Sequence, residues 1–257
     1  MALLDVNGVS VRFGGLEALN DVSVKVHAGE VVSLIGPNGA GKTTFFNVVS
    51  GLQAPTAGRV YYRDEDVTEL PPHRRARLGF GRTFQRVQLF GKLSALDNVL
   101  IAAEGVEGRL GVLGSMLRNP GTARTERQLR ERARAALELS GAADLAERPA
   151  GSLPLGLARR VELARALATL PEIVLLDEPA SGLDVAESEG FGDVIRRLPA
   201  ELGVSVLLVE HDVAMVAKIS DEIYVLDFGR LIARGPAAAV LTDPQVIQAY
   251  LGREEVA

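Results

Sequence analysis

The sequence predicts an α/β protein with a mostly parallel sheet, and three observations carry that expectation. Residues 36–44 read Gly-Pro-Asn-Gly-Ala-Gly-Lys-Thr-Thr and fit G-x-x-x-x-G-K-[ST], a pattern that joins a buried strand to a helix. Residues 173–176 and 204–209 are nearly continuous apolar runs, each preceded by helix-compatible sequence, as expected of strands covered on both faces. The first thirty residues instead alternate, with Val22, Val24 and Val26 on one face between Ser23, Lys25 and His27. That period of two predicts antiparallel strands with one wet face.

The glycine-rich segment follows Val31-Val32-Ser33-Leu34-Ile35, a β-branched run suited to a buried strand, and continues from Lys42 as a helix. Small residues let backbone N–H groups close around phosphates at a positive helix end. Gly36, Pro37, Asn38, Gly39, Ala40, Gly41, Lys42, Thr43 and Thr44 are therefore the expected phosphate-binding residues. Lys42 adds charge for the outer phosphates and Thr43 offers a hydroxyl to Mg²⁺. A second acidic site ends the run Leu175-Leu176-Asp177-Glu178-Pro179. In a chain with a phosphate loop, Asp177 is placed to hold Mg²⁺ through its water shell and Glu178 to take a proton from an attacking water.

Residues 92–168 contain no convincing strand and read as a helical insert. Within it, residues 118–134 hold six arginines against two glutamates. Leu129, Ala133, Ala136 and Leu137 recur among them at helical spacing and no aromatics interleave, so a solvated amphipathic face is expected rather than a nucleic-acid surface. Leu110, Val112, Leu113, Met116 and Leu117 are expected in the core or in a partner groove, with a membrane surface as the alternative. In the tail, Asp243 is a cap and Pro244 the first position of a final helix.

Composition excludes several classes. A net charge of −5 over 257 residues argues against a dedicated nucleic-acid binder, and the lack of cysteine removes disulfides and thiolate metal sites. No secretory signal is visible, and the longest apolar candidate for a membrane span, 100–117, is broken by Glu104, Glu107 and Arg109. A cytoplasmic location is expected, with any membrane role reached through a partner.

The motifs together resemble those of ATP-binding-cassette (ABC) ATPases, over essentially the whole chain. The resemblance implies ATP and Mg²⁺ as cofactors and a P-loop core carrying an N-terminal antiparallel β subdomain and a helical subdomain insert. It divides the chain at 1–91, 92–168, 169–236 and 237–257. It also implies roles: Phe13 stacks on adenine, Gln85 links Mg²⁺ and the attacking water to a transmembrane partner, and His211 contacts the γ-phosphate. Asp184, in Ser181-Gly182-Leu183-Asp184, reaches toward a second subunit.

One segment departs from the family. Its signature, Leu-Ser-Gly-Gly-Gln before a helix, is here Leu153-Pro154-Leu155-Gly156-Leu157, with a helix expected over 158–168. Pro154 brings neither hydroxyl nor N–H, and the Leu157 side chain donates nothing. Residues 82–90, 110–113, 219–225 and 246–252 resemble the ATPase subunits of branched-chain amino-acid importers. Such systems imply transmembrane permease subunits, a second ATPase subunit whose intact signature tolerates this one, and a periplasmic or extracellular solute-binding protein. A homodimer, an importer of urea or amides, and a nucleotide-operated scaffold share these features.

Overall fold

The computed structural model describes residues 1–107 and 120–251. Two sheets form its framework. The first has the order β2-β1-β4-β5, built from β1 (Ala2–Phe13), β2 (Leu16–His27), β4 (Ala57–Tyr62) and β5 (Glu65–Asp66), all antiparallel. The expected alternation is realised: Val22, Val24 and Val26 are all fully buried. β4 and β5 were not expected from the sequence, because the strands are short and their pairing is set by a turn through Arg63 and Asp64. Both turn residues have positive φ, as two-residue hairpins require.

The second sheet has six strands in the order β10-β9-β3-β8-β7-β6. They are β3 (Val31–Ile35), β6 (Phe80–Arg82), β7 (Ile173–Asp177), β8 (Ser205–Val209), β9 (Glu222–Asp227) and β10 (Arg230–Gly235). All neighbours are parallel except the β9–β10 pair. The apolar runs are continuous because each face meets a different layer. Val31, Ile35, Val174, Leu176, Val206, Leu208, Ile223 and Val225 join the core beneath the helices. Their alternates Val32, Leu34, Ile173, Leu175, Leu207, Val209 and Leu226 pack toward the antiparallel sheet. Two-sided burial leaves no place for charged side chains in these runs except at the strand ends, and Ser33, fully buried within β3, pairs its hydroxyl with Ser220 Oγ at 2.6 Å.

Helices α1 (Lys42–Val49) and α2 (Pro72–Arg77) lie between β3 and β6 in sequence. Between β6 and β7 come α3 (Ala95–Glu107), α4 (Pro120–Leu139) and α5 (Leu155–Leu167), which pack on one another. The remaining helices are α6 (Val185–Leu202), α7 (Val213–Ile219), α8 (Ala237–Val240) and α9 (Pro244–Leu251). On α4 the stripe Leu129, Ala133, Ala136 and Leu137 is buried while Arg124, Arg127, Arg130 and Arg134 face water, as expected of an amphipathic helix. The set at 110–117 and the tail beyond 251 lie outside the described residues. α9 starts at Pro244, with the Gln245 N–H donating to Asp243 Oδ1 at 2.7 Å.

α5 begins at Leu155, three residues before the expected start. Pro154 occupies the cap position with φ −54° and ψ 156°, and Ala158 N–H already donates to its carbonyl at 2.9 Å. A proline there leaves the helix intact because no intrahelical bond needs its missing N–H.

Arg75, only 1% exposed, closes the far end of α1. Its guanidinium donates to the carbonyls of Val48 (2.9 Å), Val49 (2.5 Å), Leu70 (3.0 Å) and Thr68 (2.9 Å). Burial pulls its pKa down to about 10. Methionine would fill the volume and strand these acceptors, each costing about 1–3 kcal/mol. Arg75→Met should therefore lower stability by about 3 kcal/mol or more, a midpoint fall of roughly 6–12 °C for a domain of this size. Thermal melting of both proteins measures it, and an unchanged midpoint would mean that water satisfies the carbonyls.

Candidate nucleotide site

The glycine-rich segment leaves the carboxyl end of β3 and turns directly into α1. Gly36, Gly39 and Gly41 all have positive φ, at 150°, 79° and 109°. The first and last are forced by packing: a Cβ on Gly36 would stand 2.0 Å from the Leu226 carbonyl oxygen, and one on Gly41 2.6 Å from that of Ala18. A Cβ on Gly39 would meet nothing within 4 Å, so this glycine serves the backbone conformation and leaves the loop open to a ligand. Lys42, 6% exposed, donates from Nζ to the carbonyls of Gly36 (2.6 Å) and Pro37 (3.0 Å) and closes the loop on itself.

Neighbouring elements brace this loop. The Gly229 N–H, in the β9–β10 turn, donates to the Ala40 carbonyl at 2.9 Å, and the Gly229 carbonyl accepts from Asn20 N–H at 2.8 Å. From α9, Tyr250 brings a buried hydroxyl to the Gly36 backbone, where it has no hydrogen-bond partner of good geometry and burial pushes its pKa up to about 12. Nothing in the local sequence around Tyr250 signalled this contact, since it depends on the tail folding back across the sheet. Asn38 and Thr43 are exposed and Pro37, Ala40 and Lys42 buried, with Thr44 between. Phe13 is half exposed, at 50%, at the tip of the β1–β2 hairpin.

Asp177 ends β7 and is 5% exposed. Burial raises its pKa; Arg82, with Nη2 3.7 Å away, works against that, and the Glu178 charge adds to it. Arg82 is itself held by Ser50 and Asn47 of the α1 end, and its guanidinium lies over the rings of Phe46 (4.9 Å) and Phe84 (5.4 Å). Glu178 has φ 47°, a conformation that a non-glycine residue adopts only at a cost. The Glu178 N–H donates to the Val209 carbonyl (2.8 Å), and Oε2 accepts from Gln85 Nε2 at 3.3 Å.

His211 follows β8, its side chain 56% exposed and its Nδ1 3.4 Å from Glu210 Oε2. Glu210 is another residue that the sequence did not single out. Fully buried, it accepts backbone N–H bonds from Ala180 (2.8 Å), His211 (2.8 Å) and Asp212 (3.3 Å). One carboxylate thus fastens the turn after Glu178 to the turn carrying His211. An acid between an apolar strand and a histidine is the only local signal, and it is weak.

Apart from Phe13, the sites named from sequence fall into two groups. Residues 36–44, Asp177, Glu178 and His211 all leave the carboxyl ends of β3, β7 and β8, the edge where open α/β sheets bind ligands. Gln85 joins them through Glu178. The segment 153–157 and Asp184 gather instead around each other. A Cβ on Gly156 would meet Glu187 Oε1 at 2.7 Å, and one on Gly182 would meet Leu155 at 2.9 Å. Asp184 caps α6, accepting from Glu187 N–H at 2.8 Å while Glu187 accepts from the Asp184 N–H at 3.3 Å.

The family model described as ABC transporter matches residues 19–181, and a model described as branched-chain amino acid ATP-binding cassette transporter matches residues 230–256. The high-affinity branched-chain amino acid transport ATP-binding protein LivG of Escherichia coli (strain K12) is 42% identical over 250 residues, covering 97% of this chain and 98% of its own. A solved ATP-binding cassette of an ABC transporter in its ADP conformation has a TM-score of 0.84 at 30% identity, covering 98% of this chain and 100% of that one. A dimeric cassette in a post-hydrolysis state, bound to ADP and Pi, has a TM-score of 0.75 at 27% identity, covering 91% and 98%. The strand-end cluster and this similarity agree: the chain belongs to the ABC transporter family, as one of its ATP-binding, ATP-hydrolysing cassettes.

Proposed function

We propose that this chain is one of two different cassettes that power an importer of branched-chain amino acids. It would sit on the cytoplasmic face of permease subunits and be served by a solute-binding protein across the membrane. The observation that carries the hydrolytic part is the Gln85–Glu178 contact beside buried Asp177, on the same sheet edge as the phosphate loop. The solute class draws support from the match at 230–256 and from the likeness to LivG. None of the described helices is long and apolar enough to cross a membrane, so permease subunits would supply the attachment.

The residues present fit a nucleotide with Mg²⁺. Gly39 leaves the loop backbone open, and no group of three His, Asp or Glu side chains gathers as a metal cage among the described residues. Mg²⁺ bound through one carboxylate plus substrate phosphates needs no such cage. When bound, MgATP supplies the phosphoryl group to be transferred and much of the charge that eases its transfer. Residues 36–44 would cradle phosphates, Thr43, Gln85 and Asp177 would hold Mg²⁺, and Phe13 would stack on adenine. Gln85 orients a water whose proton Glu178 accepts. With Nδ1 3.4 Å from Glu210 Oε2, His211 would use Nε2 to contact the γ-phosphate.

The segment 153–157 and Asp184 would complete a partner's site across a dimer. A cavity of about 530 Å³ between α2, β6, α3 and α5, whose lining mixes Leu52, Phe80 and Phe84 with His73, Arg77 and Arg165, suits an element of the permease. The same reading treats 1–91, 92–168, 169–236 and 237–257 as functional units.

Three experiments test this. Glu178→Gln keeps shape and removes the proton acceptor, so turnover should fall about 10²- to 10⁴-fold while ATP affinity stays; normal turnover would remove Glu178 as base. The second separates stability from activity. A carboxyl whose pKa rises on folding binds its proton more tightly in the folded chain. Stability therefore falls as pH climbs from the unfolded carboxylate range, about 4, through the raised folded value, and stays lower above it. Asp177→Asn should thus melt higher than wild type at pH 7 and lose about 10²-fold or more in turnover; a lower melting point would contradict the burial cost. Third, hydrolysis by an equimolar mixture of this chain and a cassette with an intact Leu-Ser-Gly-Gly-Gln segment should exceed the sum of the separate rates. A merely additive mixture would argue for a homodimer.

A further inference from the structure

One side of α5 carries Arg159, Glu162 and Arg165 at three-residue spacing, and all three hold the segment that contains Gln85. Glu162 accepts from the Gln88 N–H at 3.4 Å. Arg165 donates to the Gln88 carbonyl and lies over the Phe90 ring at 5.8 Å. Arg159 reaches furthest. From a side chain only 5% exposed, Nη2 donates to the Gln85 carbonyl at 2.8 Å and more weakly to that of Ser181 at 3.5 Å, and Nη1 to that of Phe84 at 3.2 Å. Its Nη1 is 3.8 Å from Glu162.

Three parts of the chain therefore meet on one guanidinium. Arg159 stands three residues after Gly156, in the first turns of the helix that the segment 153–157 opens. Gln85, next to Phe84, carries the side-chain amide that contacts Glu178, and Ser181 lies three residues after Glu178, its N–H bonded to the Glu178 carbonyl at 3.1 Å. A planar fork with five donors can span carbonyls of two separate loops, which a lysine ammonium cannot do in one geometry.

We propose that Arg159 is a positioning residue that couples the start of α5 to the Gln85–Glu178 pair. It rests on the dimer reading above. A nucleotide held by the opposite subunit and touching residues 155–157 displaces the helix start, and Arg159 carries that displacement to the Gln85 and Ser181 backbones. The state of one ATP site thereby sets the geometry of the hydrolytic pair in the other.

Hydrogen exchange read by mass spectrometry tests the coupling in the full chain carrying Glu178→Gln, mixed equally with the intact-signature cassette used above, with and without ATP. With Arg159 in place, ATP should protect residues 36–44, and residues 82–90 should gain protection together with 155–158. Adding Arg159→Lys keeps the buried charge beside Glu162 and loses the fork. Protection at 36–44 should then persist while that at 82–90 no longer follows 155–158. In the chain with Glu178 intact, Arg159→Lys should lower kcat about 10- to 100-fold, the scale of a misplaced catalytic group, with KM for ATP within about twofold. Should the lysine variant not fold, Arg159→Gln with Glu162→Gln removes both buried charges and takes the same measurements. Unchanged protection at 82–90, or an unchanged kcat, overturns the coupling alone. Absence of protection at 36–44 in Glu178→Gln overturns the nucleotide reading and the coupling with it.

Discussion

β3 is paired on both edges, to β8 and β9, and packed on both faces, and this confinement decides where chemistry can occur. A strand so enclosed tolerates no charge along its length. Polar and charged groups collect where the strands stop: residues 36–44 after β3, Asp177 and Glu178 at and after β7, Glu210 and His211 after β8. The adjacent strands β3, β8 and β7 carry them side by side although β3 and β7 are far apart in sequence. Backbone bonds finish the arrangement, since Glu178 N–H donates to the last residue of β8.

The same confinement explains why the loop glycines do two jobs. Gly36 and Gly41 are held against the carbonyls of Leu226 and Ala18, so a side chain at either would push the loop off the strands beside it. Substitution at either disturbs this packing together with any phosphate-binding role. Gly39 can, because its Cβ direction is empty and only its φ of 79° selects glycine.

What was legible in the sequence was local. The phosphate loop, the acidic pair at the end of β7, the alternation in β2 and the buried stripe of α4 each declare themselves within a few residues. β6 did not, because three residues including Gly81 hold no periodicity and gain strand form only by pairing with β7. Arg75, Arg159, Glu210 and Tyr250 were missed for a related reason. Each has at least one partner far along the chain, as with Arg159 and Gln85, 74 residues apart. A buried charge cannot be told from an exposed one by its neighbours in sequence. Asp184 illustrates the converse: Asp-x-x-Glu over 184–187 spells a capping box, and that local role is the one its side chain takes here.

The altered signature is best understood through the helix it opens. Pro154 supplies no side-chain cap, so the first-turn N–H groups of Leu155, Gly156 and Leu157 have no partner from it. The hydroxyl is lost, while the backbone donors and the helix dipole that favour an anion are kept. Gly156 also packs against Glu187, whose carboxylate accepts from the Asp184 N–H and stands close to that first turn. A phosphate approaching these donors therefore meets a nearby negative charge as well as a missing hydroxyl. Both effects would weaken the site that, in the proposed dimer, this chain completes for a partner. Neither touches the site built on its own phosphate loop. In the heterodimer proposed above, that placement of charge would give an asymmetric pair, one site turning over readily and the other gripping more weakly.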